Sequence, residues 1–165
     1  MPYLTRSARR ADAEAIARIY SEDGLATFET RTRIPDEVRC WFEEGFPLVV
    51  VEDDGGGVVG WASAPPYRAA REAYAGVAEF SVYTSRESRG RGAGRAAMKA
   101  LVREAEAGGL WKLVSRIFPG NEASLALCRR LGFREVGTYR RHAKLDGEWR
   151  DVVIVELLLG EAADA

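Results

Sequence analysis

The stretch from Phe80 to Arg95 constrains the fold more than any other. It reads Phe-Ser-Val-Tyr-Thr-Ser-Arg-Glu-Ser-Arg-Gly-Arg-Gly-Ala-Gly-Arg. Apolar residues give way to arginine and glycine, and then to an alanine-rich segment in which Met98, Leu101 and Val102 form an apolar stripe at helical spacing. A strand therefore runs through a glycine loop straight into a helix. Such a loop turns several backbone N–H groups toward one point, beside the positive end of the helix dipole. That arrangement suits an anion of phosphate type, and Arg89, Arg91 and Arg95 add full charges to it. The glycines fall at 90, 92 and 94, so neither the Gly-x-x-x-x-Gly-Lys-Ser/Thr nor the Gly-x-Gly-x-x-Gly spacing is met. On spacing alone the loop is either this anion site or a flexible turn that starts a helix.

Short elements alternate around this unit. Residues 3–6 read as a strand, and residues 11–20 place Ala15, Ile16, Ile19 and Tyr20 at helical spacing. Pro35 suits the first turn of a second helix, running to about Glu44. Residues 48–52 and 58–63 flank Asp53-Asp54-Gly55-Gly56-Gly57 as an antiparallel pair, because glycine supplies the positive φ of a hairpin turn. Residues 77–84 are a longer strand. A helix over 92–107 stops at Gly108-Gly109, residues 111–117 are a strand, and a helix over 121–131 ends at Gly132. Residues 133–139 and 152–159 are closing strands, with an Asp146-Gly147 turn before the second. The order predicts an α/β (α+β) fold, a mixed sheet of about seven strands flanked by four helices.

The 165 residues suit one domain spanning 1–165, large enough to bury a core without staples. Lys+Arg of 24 against Asp+Glu of 25 gives a formal charge of −1, which argues against a general nucleic-acid binder. The start lacks an apolar leader segment and no run is long enough to span a bilayer, so a cytoplasmic chain without a membrane partner is expected. Cys40 and Cys128 make neither a disulfide framework nor a four-ligand metal site, and no His/Cys/Asp cluster has metal-ligand spacing. His142, the only histidine, lies away from the loop and reads as a surface or interface residue, which leaves a Ser-His-Asp hydrolase poorly supported.

Arg89-x-x-Gly92-x-Gly94 after a strand resembles the acetyl-CoA pyrophosphate loop of the GNAT acetyltransferases. A second block, Pro119-Gly-Asn121-Glu-Ala-Ser124-Leu-Ala-Leu-Cys128-Arg-Arg-Leu131-Gly132-Phe133, is similar to that family's Asn-x-x-Ser/Ala … Leu-Gly-Phe helix and strand. Within the family the chain looks most like the phosphinothricin branch and, inside it, the arsinothricin-resistance group. Ala26–Thr30, Pro66-Tyr-Arg68 … Arg71-Glu-Ala-Tyr74, Glu79-x-Ser-Val-Tyr83 and Gly147-Glu-Trp149-Arg-Asp151-Val carry that likeness. The resemblance implies the GNAT fold and a homodimer. It implies transfer of acetyl from acetyl-CoA, with no metal, to the α-amino group of phosphinothricin, arsinothricin or methionine sulfoximine, conferring resistance. An acetyltransferase for a protein or peptide amine is an alternative reading, and a non-catalytic acyl-CoA-binding module is another.

The resemblance also implies roles. Val82, Tyr83, Thr84, Arg89, Gly90, Arg91, Gly92, Ala93, Gly94, Arg95, Asn121 and Ser124 would hold acetyl-CoA, with backbone N–H groups near Val82 and Tyr83 facing the thioester oxygen. Phe28, Arg68, Arg71 and Tyr74 would line the acceptor pocket, because a guanidinium matches acidic oxygens in bidentate geometry. Phe28 and Tyr74 could equally pack, and either arginine could simply be solvated. Strand alternation puts Val77, Glu79, Ser81 and Tyr83 on one face and Ala78, Phe80, Val82 and Thr84 on the other. The resemblance places the family's catalytic glutamate at Glu79, where a carboxylate can take the proton of an attacking amine. On residue type alone Glu79 reads first as a structural ion-pair partner, of Arg68 or Arg71. Cys128 stands where the family carries tyrosine or histidine, and reads as a small buried residue. The link over 19–25 is about three residues shorter than the branch usually has.

Overall fold

The computed structural model describes residues 3–22 and 35–165. The chain opens with β1 (Leu4–Ser7), α1 (Ala13–Ser21) and α2 (Pro35–Glu44). β2 (Leu48–Glu52) and β3 (Val58–Ser63) form the expected hairpin. Its turn is tied by Asp53, whose Oδ1 accepts the N–H groups of Gly55 and Gly57 at 3.0 Å each. Then follow β4 (Val77–Glu79), β5 (Ser81–Thr84), α3 (Ala93–Ala107), β6 (Lys112–Ile117) and α4 (Glu122–Arg130). The long pair β7 (Arg134–Leu145) and β8 (Glu148–Leu158) and the short α5 (Glu161–Asp164) complete the described elements.

The sheet expected from the sequence is divided. The strands form two four-stranded sheets, ordered β1-β2-β3-β5 and β4-β6-β8-β7. One stretch, residues 77–84, causes the division. Its first half, β4, pairs in parallel with β6, Glu79 lying opposite Val114. The N–H of Phe80 donates to Val114 O at 2.9 Å, and the buried Ser115 hydroxyl donates to Phe80 O at 2.9 Å. Beyond Phe80 the strand leaves β6, and β5 pairs with β3 alone. Eight strand segments result where the sequence predicts seven strands. The tail carries α5 as a fifth helix among the described residues.

The closing hairpin is also longer than expected. β7 runs to Leu145 and β8 starts at Glu148, so residues 140–151, expected to lie largely outside strands, belong to the ladder. Asp146 (φ 50°) and Gly147 (φ 80°) make the tight turn. The segment between is polar and exposed along both strands, so it lacks the alternation that marks a half-buried strand.

Two apolar layers hold the sheets. On one face of the first sheet Val50, Trp61 and Tyr83 pack with Ile16, Ile19 and Tyr20 of α1 and Val38 of α2. On its other face Val49, Val51 and Ala62 meet Ala97, Met98 and Leu101 of α3. The same layer continues under the second sheet through Ala78, Phe80, Leu113 and Val155, with Leu125 and Cys128 of α4. α3 therefore closes both sheets, each of its fully buried large side chains contributing about 1.5–3 kcal/mol by leaving water.

A charged knot ties β1 to α1. Arg6 grips Asp12 with Nη1 and Nη2 at 2.8 and 2.9 Å and also pairs with Glu52 of β2. Arg9 N–H adds a bond to Asp12 Oδ2 at 2.7 Å. Burial pushes the Asp12 carboxyl up, but the Arg6 guanidinium and the Arg9 N–H outweigh it and hold it below the usual carboxylate range. A carboxyl depressed on folding stabilises the fold above its unfolded value, about pH 4, and loses that contribution as pH falls through its folded value. Asp12→Asn should cost about 2 kcal/mol at neutral pH, and the difference from wild type should shrink as pH drops below about 4. Denaturant titration at a series of pH values measures this. Two parallel stability curves would contradict it.

Candidate active site

The divergence at Phe80 opens a wedge between β5 and β6. Ser85 N–H donates to Val59 O at 2.8 Å, which fixes the hydrogen-bonding phase of β5 against β3. Alternation then turns Ser81 and Tyr83 toward β3, and turns the backbone groups of Val82 and Thr84 into the wedge. Of the backbone groups near Val82 and Tyr83, the Val82 N–H faces the wedge together with that of Thr84. The Tyr83 N–H faces Trp61, and its ring is buried on that tryptophan with centroids 4.9 Å apart. The two faces expected for 77–84 hold: Ala78, Phe80 and Val82 pack toward α3, and Tyr83 packs toward α1.

The glycine loop stands at the mouth of the wedge. Gly90 and Gly92 have φ of 73° and 94°, values in the left-handed region that favours glycine, and Gly92 is the N-cap of α3. No side chain caps this helix, and its first turn holds no acidic residue. Ala96 is bonded to Gly92 O at 3.0 Å, so the N–H groups of Ala93, Gly94 and Arg95 lie ahead of the ladder. Arg89, Arg91 and Arg95 are exposed around them. Donors, dipole and full charges converge here, an arrangement that suits an anion. α3 lies close to its neighbours at Gly94: a Cβ there would stand at ordinary contact distance, 3.5 Å from Leu127 and 3.6 Å from Thr84. Asn121 caps α4, its side chain accepting the Ser124 N–H at 3.2 Å.

Glu79 ends β4, one residue before the strands part. Its side chain is 26% exposed, and Arg116 Nε donates to its Oε2 at 2.6 Å. The structure thus supplies Arg116 as a partner where the sequence suggested Arg68 or Arg71. Register explains it: Glu79 lies opposite Val114, so Arg116 comes up on the same face two residues on.

Glu79 lies in a cleft of about 1050 Å³ on the outer face of the second sheet. Arg68 and Tyr74 line that cleft as expected, whereas Arg71 is not among its lining residues, and Phe28 lies outside the described residues. Residues 23–25 of the 19–25 link also lie outside them, and α1 itself continues to Ser21. His142 lines the cleft too, with its ring 4.7 Å from that of Tyr139. The sequence hid this, because the β7 segment that carries His142 onto this sheet was not legible as strand. Lys112 and Glu156 form a second ion pair on the same face, and Arg134 Nε adds a bond to Glu156 at 2.9 Å. Lys112 beside it holds the Glu156 carboxyl below the usual range, against burial and with help from Arg134.

Cys128 lies buried in the layer beneath the wedge. Burial, with the Glu135 carboxylate adding to it, pushes its thiol up to about 12. It is neutral at physiological pH and too weak an acid to protonate a thiolate efficiently.

Comparison with known proteins agrees with this geometry. Residues 4–134 match the family described as acetyltransferase (GNAT) domain. The chain is 34% identical to the L-methionine sulfoximine/L-methionine sulfone acetyltransferase of Pseudomonas paraeruginosa, over 97% of this chain and 96% of that protein. It is 36% identical to the phosphinothricin N-acetyltransferase of Streptomyces coelicolor, over 83% of each. The crystal structure of a phosphinothricin acetyltransferase from Sinorhizobium meliloti in complex with acetyl-CoA superposes with a TM-score of 0.91 at 34% identity, covering 100% of this chain and 92% of that one. The family match spans most of the chain, and the relatives align along most of their length; the chain belongs to the GNAT acetyltransferase family.

Proposed function

We propose that the chain transfers acetyl from acetyl-CoA to the α-amino group of a small acidic amino acid or analogue of the phosphinothricin, arsinothricin or methionine sulfoximine type, and so detoxifies it. The observation that carries this reading is the placing of Glu79 and Arg68 in one cleft, with Glu79 one residue from the point where the strands part. The glycine loop and the first turn of α3 take the pyrophosphate, and Asn121 and Ser124 take the pantetheine arm. Val82 and Thr84 direct N–H groups at the thioester oxygen, where charge develops as the amine attacks. Glu79 receives the proton of the attacking amine, directly or through water. Arg68 holds the acidic end of the acceptor. The thiolate leaves without help from Cys128. The enzyme acts inside the cell, and its two free cysteines fit a reducing compartment.

A homodimer belongs to the same reading. Val136, Tyr139, Trp149 and Leu158 are exposed along β7 and β8, an apolar series that a second copy would cover. Val136 and Tyr139 also line the acceptor cleft, which puts the pocket beside that contact. Sedimentation should give twice the monomer mass. A monomer at micromolar concentration would count against it.

The function is tested by free-thiol release from acetyl-CoA, with phosphinothricin, arsinothricin, methionine sulfoximine, glutamate and a basic peptide as acceptors. Turnover should be confined to the amino-acid analogues. Turnover on the peptide alone would select the protein-acetyltransferase reading, and binding of acetyl-CoA with no turnover would select the non-catalytic module. Glu79→Gln should lower kcat by about a hundredfold or more while leaving acetyl-CoA affinity unchanged. An unaltered kcat would remove Glu79 from the mechanism.

A further inference from the structure

Trp111 and Gly76 are joined in a way that the chemistry above does not use. A Cβ placed on Gly76 would lie 1.9, 2.1 and 2.4 Å from Cε3, Cδ2 and Cζ3 of the Trp111 ring. The indole therefore occupies the space that the side chain of any other residue at 76 would need. Gly76 has no left-handed φ, so glycine stands there for room and not for conformation. The backbone reinforces the contact. Trp111 N–H and Lys112 N–H both donate to Gly76 O, at 2.8 and 3.1 Å, and Leu159 N–H donates to Trp111 O at 2.9 Å.

The segment over 66–76 that this contact ends is one wall of the acceptor cleft. Its near end is fixed by Tyr67 N–H on Val77 O at 3.0 Å and Glu79 N–H on Pro65 O at 2.9 Å. Tyr67 and Tyr74 meet edge to face with centroids 6.0 Å apart, and the Arg68 guanidinium lies 5.5 Å over the Tyr67 ring. Trp111 itself lines the cleft and is 40% exposed. The ring on Gly76 and the backbone bonds beside it hold the far end of this wall against β6, where the β4 ladder starts at Val77.

We infer that Trp111 is a positioning residue for the acceptor: its indole, seated on Gly76, fixes the wall that carries Arg68 and so sets where the acceptor's acidic end stands relative to Glu79. The inference rests on the acceptor assignment proposed above. Trp111 also borders the cleft, so its own replacement mixes positioning with lost contact. Gly76 does not line the cleft, and Gly76→Ala separates the two effects, because an added methyl group must displace the ring or the wall.

Steady-state kinetics on the best amino-acid acceptor, with limited trypsin digestion, test this. Gly76→Ala and Trp111→Ala should each raise the acceptor KM about tenfold, since small misplacements of bound groups are costly, and leave the acetyl-CoA KM unchanged. Both should speed cleavage after Arg68 and Arg71. Trp111→Phe should recover most of the loss. In the Trp111→Ala background, Gly76→Ala should add nothing further, because the ring it collides with is gone. Unaltered acceptor KM and cleavage in Gly76→Ala, or additive effects in the double variant, would overturn the inference. Acetyl-CoA binding serves as the control for folding. Should wild type acetylate none of the amino acids, the acceptor assignment fails on its own. The digestion then decides separately whether the ring holds the wall, and unaltered cleavage again overturns the inference.

Discussion

Two hydrogen bonds at Phe80 decide where everything else goes. The Phe80 N–H holds Val114, the Ser115 hydroxyl holds Phe80 O, and past that point the strand pairs with no described strand on the β6 side. A buried backbone group without a partner is costly. The strand could therefore leave β6 only where the freed groups of Val82 and Thr84 face a space that water or a ligand fills. The wedge is that space. The glycine loop follows at the end of β5 because the chain must turn there, and the turn aims the first N–H groups of α3 at the same mouth. Glu79 is the last residue before the parting, so it borders both the wedge and the outer face of the second sheet.

The same parting explains how α3 comes to serve core and site together. Its buried face, with Ala97, Met98 and Leu101, closes both sheets, and its first turn presents donors to the anion site. Alanine and glycine along this helix keep it close to β5 and α4. A bulky residue at Gly94 would push the anion site away from the wedge as well as disturb the core.

Much of this was legible in the residues. Glycines at 90, 92 and 94 between an alternating strand and an alanine-rich segment marked the strand–loop–helix unit, and the helices carried clear 3.6-residue patterns. The division into two sheets was not legible, because residues 77–84 alternate without interruption and a change of partner leaves no mark on periodicity. The strand character of 140–151 was hidden for a different reason. Thr138-Tyr-Arg-Arg-His142 has no buried face, and only a neighbour across the ladder makes it a strand. That omission displaced His142 from the cleft in the sequence reading. Arg116 as the partner of Glu79 depends on register between strands far apart in sequence, and the fit of Trp111 on Gly76 depends on a contact 35 positions long that no local pattern encodes.

β7 has a further consequence. Among the described residues it is the edge of its sheet, 12 residues long, and an edge of that length is a template for adding strands from other chains. The ladder to β8 loses register between Glu135 and Gly137 and again between Tyr139 and Ala143, and Arg141 takes a φ of 49° in the second irregularity. Such bulges twist an edge out of plane, and Arg140, Arg141 and Lys144 place positive charge along it. Indefinite strand-by-strand growth is thereby blocked. What the edge offers a neighbouring molecule is its side chains rather than its backbone.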